Sequence, residues 1–146
     1  MSESSWPPRW LTEVPIEDQL RGDGDLYADF AEAVCRVTKD SVASPAGKLL
    51  SLRPWQRELL RHALARREDG RFRHRTALVG MARKNGKSAL GSGIALHALM
   101  LGSNGGEVYS CAADRDQARI VFGDAKKMIE ASKELLAMCK IYPHSK

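Results

Sequence analysis

The sequence lacks the features of several common protein classes. No apolar run approaches the roughly 18 residues that a membrane-spanning helix needs, and the amino terminus, MSESSWPPRW, lacks the charged-then-apolar order of a signal peptide. The three cysteines, Cys35, Cys111 and Cys139, form no CxxC pair, which argues against a disulfide framework and a zinc site. Histidines at positions 62, 74, 97 and 144 also lack metal-ligand spacing. We therefore expect an intracellular chain in which histidine and cysteine bind no metal.

Charge is distributed unevenly, although the net charge of the 146 residues is only +5. Residues 1–40 hold nine acids and four bases, residues 41–87 hold three acids and twelve bases, and residues 88–146 hold six acids and seven bases. A basic block of this density attracts phosphate, either of a nucleotide or of a nucleic-acid backbone. For the stretch RHALARRED alone, a solvated helix face is the simpler interpretation.

The first half of the chain predicts an irregular leader and two helices. Residues 1–25 are rich in proline, glycine and acids, which indicates irregular structure. Residues 26–40 predict an amphipathic helix, because one stripe at helical spacing carries Leu26, Phe30, Ala33, Val34 and Val37. Pro54 suits the first turn of a further helix, which we expect to pack through Trp55, Leu59 and Ala63 and to end near Gly70.

The second half predicts alternating strands and helices. The runs TALVG (residues 76–80) and EVYSCAA (residues 107–113) have the composition of buried strands, and the small-residue stretch KSALGSGIALHALML between them predicts a helix. Asp114 and Gln117 resemble a capping box at the start of a last helix. Because parallel strands need a helical crossover, the order predicts an α/β fold. We expect a P-loop NTPase-type parallel sheet with flanking helices, incomplete with two strands, and preceded by a helical leader.

A phosphate-binding loop is predicted between the first strand and its helix. Such a site needs backbone N–H groups at a helix N-terminus, a lysine for the β- and γ-phosphates and a hydroxyl for magnesium. Gly86, Lys87 and Ser88 supply these groups in the required order. The motif G-x-x-x-x-G-K-[ST] places its first glycine where this chain has Met81, and the nearest glycine is Gly80. This departure disfavours most kinases and small GTPases.

The loop and its flanks resemble the large terminase subunit of tailed bacteriophages, the ATPase that drives DNA into empty capsids. In that family the loop often lacks the first glycine and carries an arginine four residues before the lysine, as ARKNGKS does with Arg83. LRPWQRELL resembles the adenine-recognition segment of the family, and VYSCAADRDQARIVF resembles the strand and helix that follow its loop. The resemblance covers roughly residues 45 to 135.

The resemblance implies a site for ATP and Mg²⁺. It implies that Gln56 reads the adenine edge, that Arg83 senses or stabilises the γ-phosphate charge, and that Lys87 acts with Arg83 in catalysis. Ser88 would bind Mg²⁺. The nucleotide-binding residues would be Gln56, Met81, Ala82, Arg83, Lys84, Asn85, Gly86, Lys87 and Ser88. Residues 1–44 would be an acidic leader with one amphipathic helix, and residues 45–146 the first part of a P-loop ATPase domain with its Walker A motif.

The partners and activity implied by the resemblance belong to a longer protein. They are double-stranded DNA, the portal protein, the small terminase subunit and a homo-oligomeric ring, docked on the procapsid in the host cytoplasm. No apolar run ending in Asp-Glu follows Lys87, so we expect this chain to lack Walker B and the nuclease acids and to be inactive alone. A helicase-like or other P-loop ATPase, and a non-catalytic DNA-binding fragment, remain the alternatives.

Overall fold

The computed structural model describes residues 7–40, 44–102 and 104–142 of the chain. Residues 1–6 of the predicted leader and His144 lie outside this described part. In chain order, the described helices are α1 (Ile16–Arg21), α2 (Gly24–Val34), α3 (Pro54–Ala63), α4 (Lys87–Leu101), α5 (Arg115–Ala131) and α6 (Lys133–Met138). The predicted irregular leader is therefore wrong over α1. The helices predicted to begin near residue 26 and at Pro54 are present, but they end at Val34 and Ala63 and are shorter than predicted.

The predicted α/β fold with a parallel sheet is wrong. The described ranges hold no strand, and their β-pairing consists of two isolated antiparallel bridges, Arg36 with Leu49 and Arg66 with Phe72. Residues 76–80 and 107–113 have no regular secondary structure and are exposed, with Leu78 98% exposed and Tyr109 76% exposed. A strand is stabilised by hydrogen-bonded neighbours and by packing on its faces, and an apolar run supplies neither. Most of the buried apolar side chains in the described ranges lie on helices instead.

The chain divides into two compact units. Unit 1 comprises Met1–Asp29 and Ser51–Gly80, and unit 2 comprises Phe30–Leu50 and Met81–Lys146. The division falls within α2, whose first residues belong to unit 1 and whose last residues belong to unit 2.

In unit 1, the start of α2 lies directly against the backbone of α3. A Cβ built on Gly24 would lie 2.6 Å from the Cα of Arg61, so this contact requires the absence of a side chain. Tyr27 and Ala28 of α2 are fully buried, and Leu60 of α3 is almost so. The buried face of α2 therefore differs from the predicted stripe, because Leu26 is 61% exposed.

Four ion pairs connect the acidic leader with the basic block of unit 1. They join Asp18 to Arg73, Asp23 to Arg66, Asp25 to Arg61 and Asp29 to Arg57. The pair of Asp23 with Arg66 is bidentate, with N–O distances of 2.9 and 2.7 Å, and hydrogen bonding to Asp23 raises the pKa of Arg66. The charge asymmetry along the sequence is thus neutralised in part by contacts within unit 1.

In unit 2, α4, α5 and α6 pack around a small apolar core. Its buried members are Cys35, Leu96, Ala125, Met128, Ile129 and Leu135. The predicted bounds of α4 are confirmed, and α5 begins after Asp114 as expected. The prediction of one continuous last helix is wrong, because the chain forms two helices there, α5 and α6. Ser132 ends α5 with an extended backbone, and its hydroxyl accepts a hydrogen bond from the N–H of Leu135 in α6.

Candidate functional site

The candidate phosphate loop, residues 81–86, leads directly into the N-terminus of α4. Gly86 is the N-cap of α4 and has a left-handed backbone, with φ 78° and ψ 15°. Lys84 is also left-handed, with φ 67°, a conformation that costs a residue with a Cβ about 1–2 kcal/mol. Two left-handed residues within three positions turn the chain sharply before the helix. Turns that contain left-handed residues are common in anion-binding loops, where successive backbone N–H groups form a concave site.

The N-terminus of α4 carries no negative charge of its own. Its first turn holds no acidic residue, and no side chain caps it. The first N–H groups of a helix have no acceptor within the helix, and the helix dipole places partial positive charge there. The end of α4 is therefore suited to an anionic ligand.

Lys87 folds back over the loop that precedes it. Its Nζ donates hydrogen bonds to the carbonyl oxygens of Met81, at 2.8 Å, and Ala82, at 2.9 Å. An ammonium group has three donors, so one remains for another acceptor. The ammonium is exposed at the mouth of the loop, where a phosphate could compete with two neutral carbonyls for it.

The geometry accounts for Met81 at the position of the missing glycine. A glycine is required where φ is positive or where a backbone approaches closely. Among the described residues, Lys84 is the non-glycine residue with positive φ, so Met81 does not need the glycine conformation. Gly80 has no positive φ either, and a Cβ built on it would meet nothing within 4 Å. The left-handed positions of this loop are Lys84 and Gly86, and of the two Lys84 carries the steric cost because it has a Cβ.

Arg83, Asn85 and Ser88 keep their side chains available. Arg83 and Asn85 are exposed, and Ser88 is half-buried in the first turn of α4. In residues 7–40, 44–102 and 104–142, Arg83 forms no ion pair and the hydroxyl of Ser88 forms no hydrogen bond. A free hydroxyl on this turn fits a magnesium ion whose other ligands are phosphate oxygens and water.

Gln56 lies in unit 1, at the third position of α3. Its side-chain Oε1 accepts a hydrogen bond of 2.8 Å from the backbone N–H of Arg53, the residue before the helix. The carboxamide nitrogen is left to donate elsewhere. Asp114 has a similar role in unit 2, since its Oδ1 accepts from the N–H of Gln117 at 2.8 Å, which confirms the predicted cap of α5.

A cavity of about 720 Å³ in unit 2 lies away from the loop. Its lining on α4 begins at Ala95, eight residues after Lys87, which corresponds to roughly 12 Å along a helix. The lining is mainly apolar and includes Leu99, Phe122, Ile129 and Met138. The cavity and the candidate phosphate loop are therefore separate features of unit 2.

Two features of the described residues concern metal ions and membranes. No group of three or more His, Cys, Asp or Glu side chains is arranged to hold a metal ion within the described ranges. No helix in the part of the chain that the structure describes has both the length and the apolar character to cross a bilayer.

Sequence reasoning missed Ser92, a fully buried hydroxyl on α4. Its Oγ lies 2.7 Å from the carbonyl oxygen of Ser88 and 2.9 Å from that of Val121 on α5. The spacing of four between Ser88 and Ser92 places both on one helix face, and this is the signal that could have identified it. The carbonyl partners of Lys87 could not be found from the sequence, because every residue has a carbonyl.

Comparisons with known proteins identify a family. Residues 54–142 match the family described as the terminase large subunit, ATPase domain, and the match includes Gln56 as well as the loop and α4. Neither the curated proteins nor the solved structures contain a match to the chain. Since the match extends over more than half of the 146 residues, the chain belongs to the family of terminase large subunit ATPase domains.

Proposed function

We propose that residues 81–88 form the Walker A phosphate loop of a viral DNA-packaging ATPase and bind ATP with Mg²⁺. The observation that carries this proposal is the left-handed Gly86 before an α4 N-terminus that has no acid in its first turn. Family membership supports the general role in a DNA-packaging motor and nucleotide binding. The loop geometry supports the roles of Lys87 and Ser88, and the resemblance to the family supports those of Arg83 and Gln56.

Each loop residue has a distinct role in this proposal. Lys87 leaves the carbonyls of Met81 and Ala82 to contact the β- and γ-phosphates, because charged oxygens attract the ammonium more strongly than neutral ones do. The first N–H groups of α4 bind the same phosphates. Arg83, with its planar guanidinium, contacts the γ-phosphate, whose charge is spread over several oxygens. Met81, Ala82, Lys84 and Asn85 contribute backbone to the loop.

The hydroxyl of Ser88 would bind the Mg²⁺ that accompanies ATP. Bound there, the ion neutralises phosphate charge and fixes the phosphate chain. For Gln56 we propose adenine recognition through the carboxamide, whose nitrogen is not used by the cap of α3.

The proposed motor couples ATP hydrolysis to translocation of double-stranded DNA into a procapsid. Its proposed partners are the portal protein, the small terminase subunit and further copies in a ring, docked on the procapsid in the host cytoplasm. We also propose that the 146 residues alone bind ATP without turning it over, since no apolar run ending in Asp-Glu follows Lys87. ATP binding, and not ATP turnover, is therefore the quantity that tests the site in these residues.

An ATP titration of Lys87→Ala tests the proposal. Loss of a charge-assisted contact of roughly 1.5–3 kcal/mol predicts an ATP affinity about 10- to 150-fold weaker than that of the unmodified chain. Lys127→Ala is the matched control, because Lys127 is an exposed lysine of α5 and its loss changes net charge equally. Unchanged ATP affinity in Lys87→Ala, combined with weaker DNA binding at low salt, would instead favour a DNA-binding fragment.

Two further titrations test the proposed roles of Arg83 and Gln56. Arg83→Lys should reduce the preference for ATP over ADP, because an ammonium does not reproduce the planar contact with the γ-phosphate. Gln56→Ala should reduce the preference for ATP over GTP, and an equal loss for both nucleotides would remove its role in adenine recognition.

A further inference from the structure

The hydroxyl of Ser92 lies between two helices and between two acceptors. Ser92 is fully buried, in the second turn of α4. Its Oγ is 2.7 Å from the carbonyl oxygen of Ser88, on the same helix, and 2.9 Å from the carbonyl oxygen of Val121, on α5. Both neighbours are acceptors and neither has a proton to donate.

A serine hydroxyl has one proton, so the two carbonyls compete for it. At these similar distances, a small displacement of either helix decides which carbonyl receives the stronger hydrogen bond. When the proton points to Ser88, the bond stays within α4. When it points to Val121, the bond joins α4 to α5. The burial of Ser92 keeps water from replacing either bond.

One of the two acceptors belongs to the proposed nucleotide site. Ser88 follows Lys87 in the first turn of α4, and its own hydroxyl is the proposed magnesium ligand. A phosphate at this turn would accept hydrogen bonds from the N–H groups of Lys87 and Ser88, and the Ser88 hydroxyl would hold Mg²⁺. Any resulting displacement of the Ser88 carbonyl changes its distance from the Ser92 hydroxyl. Val121, the other acceptor, lies on the helix capped by Asp114.

We propose that Ser92 is a positioning residue that couples nucleotide binding at Lys87 and Ser88 to the position of α5. This inference rests on the proposed nucleotide site and adds the route by which occupancy of that site reaches the neighbouring helix. A shift of the shared proton toward Val121 when ATP binds strengthens the bond between α4 and α5. Binding should therefore protect α5 from local opening.

Amide hydrogen exchange of the whole chain, with and without Mg²⁺ and ATP, tests the coupling. In the unmodified chain, saturating ATP should slow exchange of the α5 amides about fivefold or more, the lower end of typical coupling factors. Ser92→Ala removes the shared proton and should reduce this effect to less than about twofold. Its ATP affinity should change by no more than the lost coupling factor, because coupling is reciprocal.

Two further variants distinguish coupling from ordinary stabilisation. Ser110→Ala is the matched control, because the Ser110 hydroxyl also donates to a carbonyl of α5, that of Ala118 at 2.8 Å, but from outside α4. It should leave the effect of ATP on α5 intact. Ser92→Thr returns a hydroxyl to the same position and should restore at least part of that effect.

The outcomes separate this inference from the proposed function. If ATP protects α5 equally in the unmodified chain and in Ser92→Ala, the coupling role is overturned while the nucleotide site stands. The same holds if ATP binds without protecting α5, or if Ser110→Ala loses the effect as fully as Ser92→Ala. If the unmodified chain does not bind ATP at all, both proposals are overturned.

Discussion

The close contact between α2 and α3 predicts opposite effects for the same substitution at two glycines. In Gly24→Ala, the new Cβ would lie 2.6 Å from both the Cα and the N of Arg61 and 2.8 Å from the carbonyl carbon of Leu60. All three are backbone atoms of α3, so no side-chain rotation can relieve the overlap. In Gly91→Ala, within α4, the new Cβ would meet nothing within 4 Å.

The expected magnitudes follow from these distances. Normal carbon contacts are about 3.5 Å or longer, so α2 and α3 must separate by roughly 1 Å to accept the new methyl group. Overpacking of this kind costs about 1–3 kcal/mol. The separation also loosens the packing of the buried residues Tyr27 and Leu60. Gly91→Ala should instead stabilise α4 by about 0.5–1 kcal/mol, because alanine loses less backbone entropy on folding.

Urea unfolding followed by circular dichroism measures both effects. We expect the midpoint to fall for Gly24→Ala and to rise for Gly91→Ala, with similar m-values in both. Native-state hydrogen exchange then assigns each change to its unit, since Gly24 belongs to unit 1 and Gly91 to unit 2. A Gly24→Ala variant as stable as the unmodified chain would refute the close contact between α2 and α3.

Four other predictions concern single side chains. Burial raises the pKa of the Cys35 thiol to about 11, so at pH 8 exposed Cys111 should react with iodoacetamide while Cys35 remains unmodified. The neutral Cys35 thiol contributes fully to stability below its unfolded pKa near 9, and this contribution, roughly 2–3 kcal/mol, is lost as the pH rises toward 11. Between pH 9 and 11 the urea midpoint should therefore fall less for Cys35→Ala than for the unmodified chain. Asp114→Ala should lower the free energy of unfolding by about 1 kcal/mol, because α5 loses its cap. Asp116→Ala, at an exposed position, should lower it by less. Equal losses of stability in the two variants would contradict the capping role of Asp114. Lys84→Gly removes about 1 kcal/mol of left-handed strain but makes the unfolded chain more flexible, whereas Lys84→Ala retains the strain. The melting temperature of Lys84→Gly should therefore equal or exceed that of Lys84→Ala. A lower melting temperature would argue against a left-handed backbone at Lys84.

Local signals in the sequence predicted α4 and the start of α5 well. Lys87 follows a glycine that the loop needs, and Gly102 ends α4 at the predicted place. Asp114 caps α5 through a side chain only three residues from the N–H that it accepts from. These features depend on neighbours within one helical turn, so the residues that decide them are adjacent in the chain.

The buried faces and the strands were predicted less well. Spacing placed Leu26 in a buried stripe, but α2 buries Tyr27 and Ala28, because Gly24 allows α3 to approach that side. Residues 76–80 have the composition of a strand and nonetheless form no regular secondary structure and stay exposed. Whether an apolar run becomes a strand depends on hydrogen-bonding partners far away in sequence.

Residue types and spacing predicted a phosphate loop with the lysine and hydroxyl that follow its glycine. The motifs resembled those of the terminase large subunit, and the family match confirmed that resemblance. Tertiary structure added the two carbonyls that hold Lys87, the left-handed Lys84 and the position of the Ser92 hydroxyl between α4 and α5. The difference has a physical origin. A motif records which side chains are chemically suited to a ligand, whereas backbone carbonyls are identical along the chain and acquire roles only when folding brings one of them within hydrogen-bonding distance of a particular donor.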